Sequence, residues 1–248
     1  ITLSDVHALA DSLLRPENTV LVVVGDVKAE SVRDAVAAAF GDWHAKGPRI
    51  DLSLPPLPAG KGGTIDVPTP SSDVAVRMGE PAISRSSADF DAFSLLDQIF
   101  GGNSFDSRLF KDVRMRSGLV YTVYSALDAG FDRGVFEIGL RASPQNVARA
   151  VGLVKDEMRR MQNEPVGQVE LQRARSRIVG ETIIAEQDKS TLVGDLLNIA
   201  ENDLPLDYYG TLAQRYAAID AEAIQRVART YLNPSRLVEV YEGPTTVR

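Results

Sequence analysis

Arg114 and Tyr121 are the residues of this 248-residue chain whose types and placement could act together on a substrate. The run that holds them is Ser104-Phe-Asp-Ser-Arg-Leu-Phe-Lys-Asp-Val-Arg114-Met-Arg-Ser-Gly-Leu-Val-Tyr121-Thr-Val-Tyr-Ser125. It reads as a helix ending near Arg116, a turn at Gly118 and a strand from Tyr121. Arg114 then lies on the last helical turn and Tyr121 at the start of the strand, so the two can converge on one point across the turn. A guanidinium fork and a phenol hydroxyl both donate hydrogen bonds, and together they suit a peptide carbonyl or a developing oxyanion. A surface arginine covering an apolar strand and a tyrosine packed in a sheet would satisfy the same sequence.

Other chemistries lack their residues. A metal site needs about three converging His, Cys or carboxylate ligands. The chain has only His7 and His44, no cysteine and no His-x-x-x-His or His-x-x-Glu-His spacing, so no metal ligand is expected in it. The absence of cysteine also excludes disulfides and thiol nucleophiles. No Gly-x-Ser-x-Gly elbow supports a serine triad. Gly101-Gly-Asn-Ser104 is glycine-rich, but no Lys-Ser/Thr follows, and a helix C-terminal turn accounts for it better than a phosphate loop. The net charge of −7 is spread along the chain with no basic stripe, which gives no sign of a nucleic-acid partner. No apolar run approaches the roughly 18 residues of a membrane helix.

The elements that must position Arg114 and Tyr121 follow from periodicity. Thr64–Val67, Val74–Met78, Tyr121–Leu127, Gly134–Ala142 and Leu237–Tyr241 read as strands, the third and fourth forming a hairpin. Phe90–Phe100 is a predicted helix ended by Gly101-Gly102, and Ser104 or Asp106 is placed to cap a further helix through Arg116. Ser143-Pro144 opens the strongest helix, with Val147, Val151, Val154, Met158 and Met161 on one face. Residues 166–187, 190–202 and 208–217 continue the helical run, giving an α+β layer arrangement.

Residues 1–26 match residues 219–244 without a gap at an offset of 218, pairing Ile1 with Ile219, Ala10 with Ala228, Leu14 with Leu232, Pro16 with Pro234, Val20 with Val238 and Gly25 with Gly243. Each copy reads as helix, proline break, strand and glycine turn, the first with its strand at Val20–Val24 covered on both faces. A second helix, residues 29–40, would turn Val32, Val36 and Phe40 inward. The expected organisation is a tandem of two related lobes: the tail of a first lobe over residues 1–43, a Pro- and Gly-rich linker over 44–63, and a complete second lobe over 64–248. The rest of the first lobe would lie upstream of Ile1.

Gly101-Gly102, Ser107-Arg-Leu-Phe110 and Arg114-x6-Tyr121, in that order, resemble the pitrilysin/insulinase family of zinc metallopeptidases. Asn18–Val27, followed by a helix and Phe40-Gly-Asp-Trp43, is similar to the tail of that family's first lobe. The resemblance covers essentially the whole chain and implies a pair of similar α+β lobes, with an antiparallel-rich sheet and helices on one face in the complete lobe. It places the zinc motif, His-x-x-Glu-His, in a part absent here, so no residue of this chain is carried over as a zinc ligand. What it implies for this chain is Arg114 and Tyr121 as the pair that holds a peptide substrate and stabilises its tetrahedral intermediate. Zinc would be held by a partner lobe or subunit, and the chain given would not be catalytic by itself. The alternative within the same fold is a catalytically silent scaffold or assembly subunit.

Overall fold

The computed structural model describes residues 1–48, 55, 60–131 and 133–244, and most of residues 49–59 of the expected linker lie outside them. Contacts divide the chain into two units: residues 1–56 with 183–208, and residues 57–182 with 209–248.

The larger unit is built on one sheet of β1 (Gly63–Pro68), β2 (Val74–Ala82), β3 (Thr122–Ala129), β4 (Gly134–Ala142) and β5 (Val238–Gly243), in the order β1-β5-β2-β4-β3. β1 and β5 are parallel and the other pairs antiparallel. Register fixes the faces, because side chains alternate along a strand. Val74, Val76 and Met78 stand opposite Ala142, Leu140 and Ile138, all buried. Arg77, Glu137 and Arg141 alternate onto the other face, where both arginines are exposed and Glu137 is half-buried. On that face Tyr124 lies against Gly139, where an added Cβ would come within 2.5 Å of the ring. The Tyr124 hydroxyl donates to Glu137 at 2.8 Å, and Arg77 also pairs with Glu137.

Helices α3 (Phe90–Asp97), α4 (Pro144–Asn163), α5 (Gln168–Ala185), α7 (Leu212–Ala218) and α8 (Ala221–Tyr231) supply the rest of this unit's core. Val147, Val151, Val154, Met158 and Met161 of α4 are buried as their spacing predicts. Pro144 occupies the first helical position, but Ser143 makes no side-chain cap. The predicted helix from 208 starts only at Leu212, after a turn in which Tyr208 donates its N–H to the carbonyl of Pro205.

The smaller unit holds α1 (Leu3–Leu13), α2 (Ala29–Phe40) and α6 (Lys189–Glu201). α1 and α8 begin and end at residues matched by the internal repeat. The Thr2 hydroxyl caps Asp5 N–H as the Asp220 carboxylate caps Ala223 N–H. The turns after them also correspond, with Asn18 N–H on Arg15 O and Arg236 N–H on Asn233 O. The copies diverge at the strand. β5 is paired on both edges, whereas Val20–Val24, predicted as a covered strand, has no regular structure and no ladder among the described residues. Val20, Leu21 and Val23 are exposed there, and so is Phe40, predicted to face inward on α2. An apolar run becomes a strand only when another strand meets its N–H and C=O groups; the smaller unit supplies none among the described residues.

Glu80 is the buried carboxyl of β2 and ties that strand to the break after α8, accepting the Asn233 N–H at 2.9 Å. Burial pushes it up to about 7, against the lowering effect of that N–H and of Arg236. The unfolded chain therefore loses this proton at lower pH than the folded one does. The group's contribution is complete below its ordinary carboxylate range and is lost as pH rises through about 7. Glu80→Gln keeps an acceptor for Asn233 and removes the titration. Melting curves between pH 5 and pH 8 should show a shallower fall in stability for the variant, by roughly 3 kcal/mol across the range. Parallel wild-type and variant profiles would show that Glu80 does not carry the effect.

Candidate functional site

The segment leading to Tyr121 begins where α3 widens into a π-helical turn, Gln98–Gly102, a form frequent at functional sites. The two glycines let this turn lie against β3. A Cβ on Gly101 would stand 2.6 Å from the Ser125 N–H nitrogen, and one on Gly102 would stand 2.7 Å from an Asp97 oxygen. Asp97 accepts the Ser125 hydroxyl, and its desolvated carboxyl is pushed up to about 6, although hydrogen bonds from Ser125 and the Leu127 N–H oppose the rise.

The next helix is capped by neither Ser104 nor Asp106. The buried Asn103 accepts N–H groups from Phe105 and Asp106 at 2.9 and 3.3 Å, and the buried Ser107 hydroxyl accepts Phe110 N–H at 3.3 Å. Asparagine and serine oxygens at neighbouring levels close the orphan donors that one residue was expected to close. The helix widens into a π-helix over Phe110–Arg116 and ends in Gly118 at φ +63°, a left-handed conformation natural to glycine. Gly118 donates its N–H to Arg114 O at 3.1 Å. Leu119 and Val120 are buried beyond it, and Tyr121 N–H donates to Arg141 O at 2.8 Å, docking the chain onto β4 just before β3 begins.

Arg114 thus stands on the last turn, as the spacing predicts, and Tyr121 immediately before the strand, which begins at Thr122. Both side chains are exposed. They make no hydrogen bond to one another or to another described side chain; the Arg114 guanidinium sits 5.3 Å from the Phe110 ring centroid. Phe105 and Met115 are exposed on the same segment. A cleft of about 680 Å³ opens between this segment and α5, but its walls are residues such as Gln98, Asn103, Asp106, Gln172 and Arg173, with neither Arg114 nor Tyr121 among them.

Sequence reasoning missed the grip on the opposite face of the helix. Arg108 reaches Glu170 of α5 with two hydrogen bonds, 3.0 and 2.8 Å, and Glu157 of α4 with a third, 3.1 Å. Glu157 is 3% exposed, and burial holds its carboxyl above the ordinary range although Arg108 and Arg160 pull it down. The signal was available: Glu157 is a carboxylate on the apolar stripe of α4, where a buried charge demands a partner. His7 and His44 are both exposed, and among the described residues no cluster of three potential metal ligands occurs. The residues present do not fit a zinc site.

Residues 1–178 match the family described as the peptidase M16 inactive domain. The chain belongs to that family. It is 27% identical to an uncharacterized zinc protease of Streptomyces coelicolor, over 93% of this chain and 53% of that protein. A solved peptidase M16 inactive domain from Pseudomonas fluorescens is 28% identical, with a TM-score of 0.89 over 99% of this chain and 58% of that one. A chain of complex III2 from Candida albicans shares the fold, with a TM-score of 0.83 at 13% identity, over 98% of this chain and 59% of that one. This M16 chain spans about half the length of the curated relatives it matches. The resemblance to pitrilysin-type peptidases and the mixed α/β lobe it implied are therefore properties of the protein.

Proposed function

We propose that this M16 inactive domain is the peptide-holding part of a two-lobed peptidase, with Arg114 and Tyr121 as the donors that grip the substrate backbone. One observation carries the reading: two side-chain donors stand exposed, with no hydrogen bond to a described side chain, on a segment anchored by buried residues. Asn103, Ser107, Val113, Leu119 and Val120 are all buried, while Arg114 and Tyr121 are not. Donors held ready by a rigid frame can meet a peptide carbonyl oxygen, and the charge that grows on it, at little ordering cost. The relatives called zinc proteases support a peptide as the substrate class. Zinc belongs to a different lobe or subunit carrying His-x-x-Glu-His, with which this chain would assemble as a dimer or as part of a longer chain.

The second reading, a silent scaffold or assembly subunit, draws on the shared fold with the complex III2 chain. The two separate in one experiment. The chain is combined with a zinc-bearing M16 counterpart, and hydrolysis of a quenched fluorescent peptide is followed alongside size-exclusion chromatography. The holding role requires that Arg114→Ala and Tyr121→Phe assemble normally and turn over slowly. Equal turnover in wild type and both variants would leave the scaffold reading standing.

A further inference from the structure

We infer that Arg108 is a positioning residue for that same pair: it clamps the helix that presents Arg114, and so sets where the Arg114 guanidinium points. The inference rests on the holding role proposed for Arg114 and adds a residue to it.

The clamp is a continuous line of opposite charges along one side of the helix. Glu170 and Glu157 hold Arg108, whose side chain is 12% exposed. The second Glu157 oxygen takes Arg160 at 2.7 Å, and Arg160 reaches Asp112 at 3.1 Å. Asp112 takes Arg116 at 2.5 Å through its other oxygen. Positions 108, 112 and 116 recur at the spacing that shares one helical face. Arg114, two residues from Asp112 and from Arg116, projects from the other side. The grip therefore leaves Arg114 unencumbered while fixing the rotation of the helix beneath it. The clamp adds an angular constraint to the burial of Leu109 and Val113 on the same helix, in a stretch that departs from regular α-helix from Phe110 onward. A planar guanidinium bonding one carboxylate through two nitrogens fixes angle as well as distance, which a lysine ammonium cannot do.

Arg108→Lys keeps the charge, so the buried Glu157 and the half-buried Glu170 stay paired and the fold is retained; only the angular constraint is lost. In the assembled protein, Arg108→Lys should lower kcat about 10- to 100-fold with little change in KM, since small misplacements of a positioned group cost this much. Hydrogen exchange across residues 110–118 should rise about tenfold, with the melting temperature nearly unchanged. In an Arg114→Ala background the same substitution should change kcat less than about twofold, because a residue acting only through Arg114 has nothing left to position. Losses that multiply in the double variant would assign Arg108 a general structural role and overturn the inference. So would unchanged exchange in 110–118. If Arg114→Ala alone leaves turnover intact, the holding role falls, and exchange then decides the clamp by itself: faster exchange supports it and unchanged exchange refutes it.

Discussion

Replacing Arg114 by Ala is expected to reduce kcat/KM for peptide hydrolysis by about 10²–10³-fold, the loss typical of removing one donor to a developing oxyanion. Tyr121→Phe deletes a single hydroxyl without altering ring volume and should cost at the same scale. Neither change should move the melting temperature appreciably, because both side chains are exposed and hydrogen-bond no described side chain in the free chain. Arg114→Lys should recover only part of the loss, since a point charge replaces a fork. If the donors act chiefly on the growing charge, the loss lies in kcat; if they hold ground state and transition state alike, KM rises instead. Steady-state kinetics on the assembled protein distinguishes these outcomes, and variants indistinguishable from wild type in both constants would remove the pair from the mechanism.

Phe136→Ala should destabilise the larger unit by about 3–5 kcal/mol, the range for deleting a buried aromatic ring. Phe136 is fully buried on β4, and its ring lies 5.3 Å from Phe93 of α3 and 6.0 Å from Phe100 of the π-helical turn. Phe93 in turn stacks on Tyr231 of α8 at 5.4 Å, and the Tyr231 hydroxyl donates to Asp89 at 2.8 Å. Deleting the central ring therefore opens a void shared by the sheet, α3 and the glycine turn that leads to the Arg114 helix. A fall in melting temperature of about 10 °C is expected for a unit of this size. Phe131→Ala, at a side chain 70% exposed, serves as the control and should change stability by less than about 0.5 kcal/mol. A Phe136→Ala protein that melts with wild type would show that the neighbouring rings close the void.

Elements whose identity depends on their own periodicity were legible. α4 came from five apolar residues at helical spacing behind Ser143-Pro144, and β4 from strict alternation. The internal repeat was legible because it needs only a comparison of the chain with itself, and α1 and α8 begin and end at positions that the repeat pairs. Failures occurred where the outcome depends on a distant partner. Val20–Val24 has the composition of a buried strand, but composition does not supply neighbours. Ser104 and Asp106 looked like caps because local rules favour them, whereas the side chain that turns inward is Asn103, held among buried residues. Arg108 was read only as part of a motif, since its partners lie on α4 and α5 and no short-range rule links them. The residue types of the candidate pair were visible at once; their exposure, and the frame that presents them, required the tertiary structure.

β5 is synthesised after every other strand yet sits inside the sheet, between β1 and β2. Until residue 238 leaves the ribosome, β1 has no partner among the described strands of this sheet, and the inner edge of β2 is bare. Unpaired edges are templates for pairing with other chains, and closing so long a loop is slow. The sheet thus stays in two pieces until β5 emerges. A chain stopped after Leu237 should scatter light as an aggregate at concentrations where one stopped after Gly243 remains dispersed; equal solubility would mean that β1 finds shelter without β5.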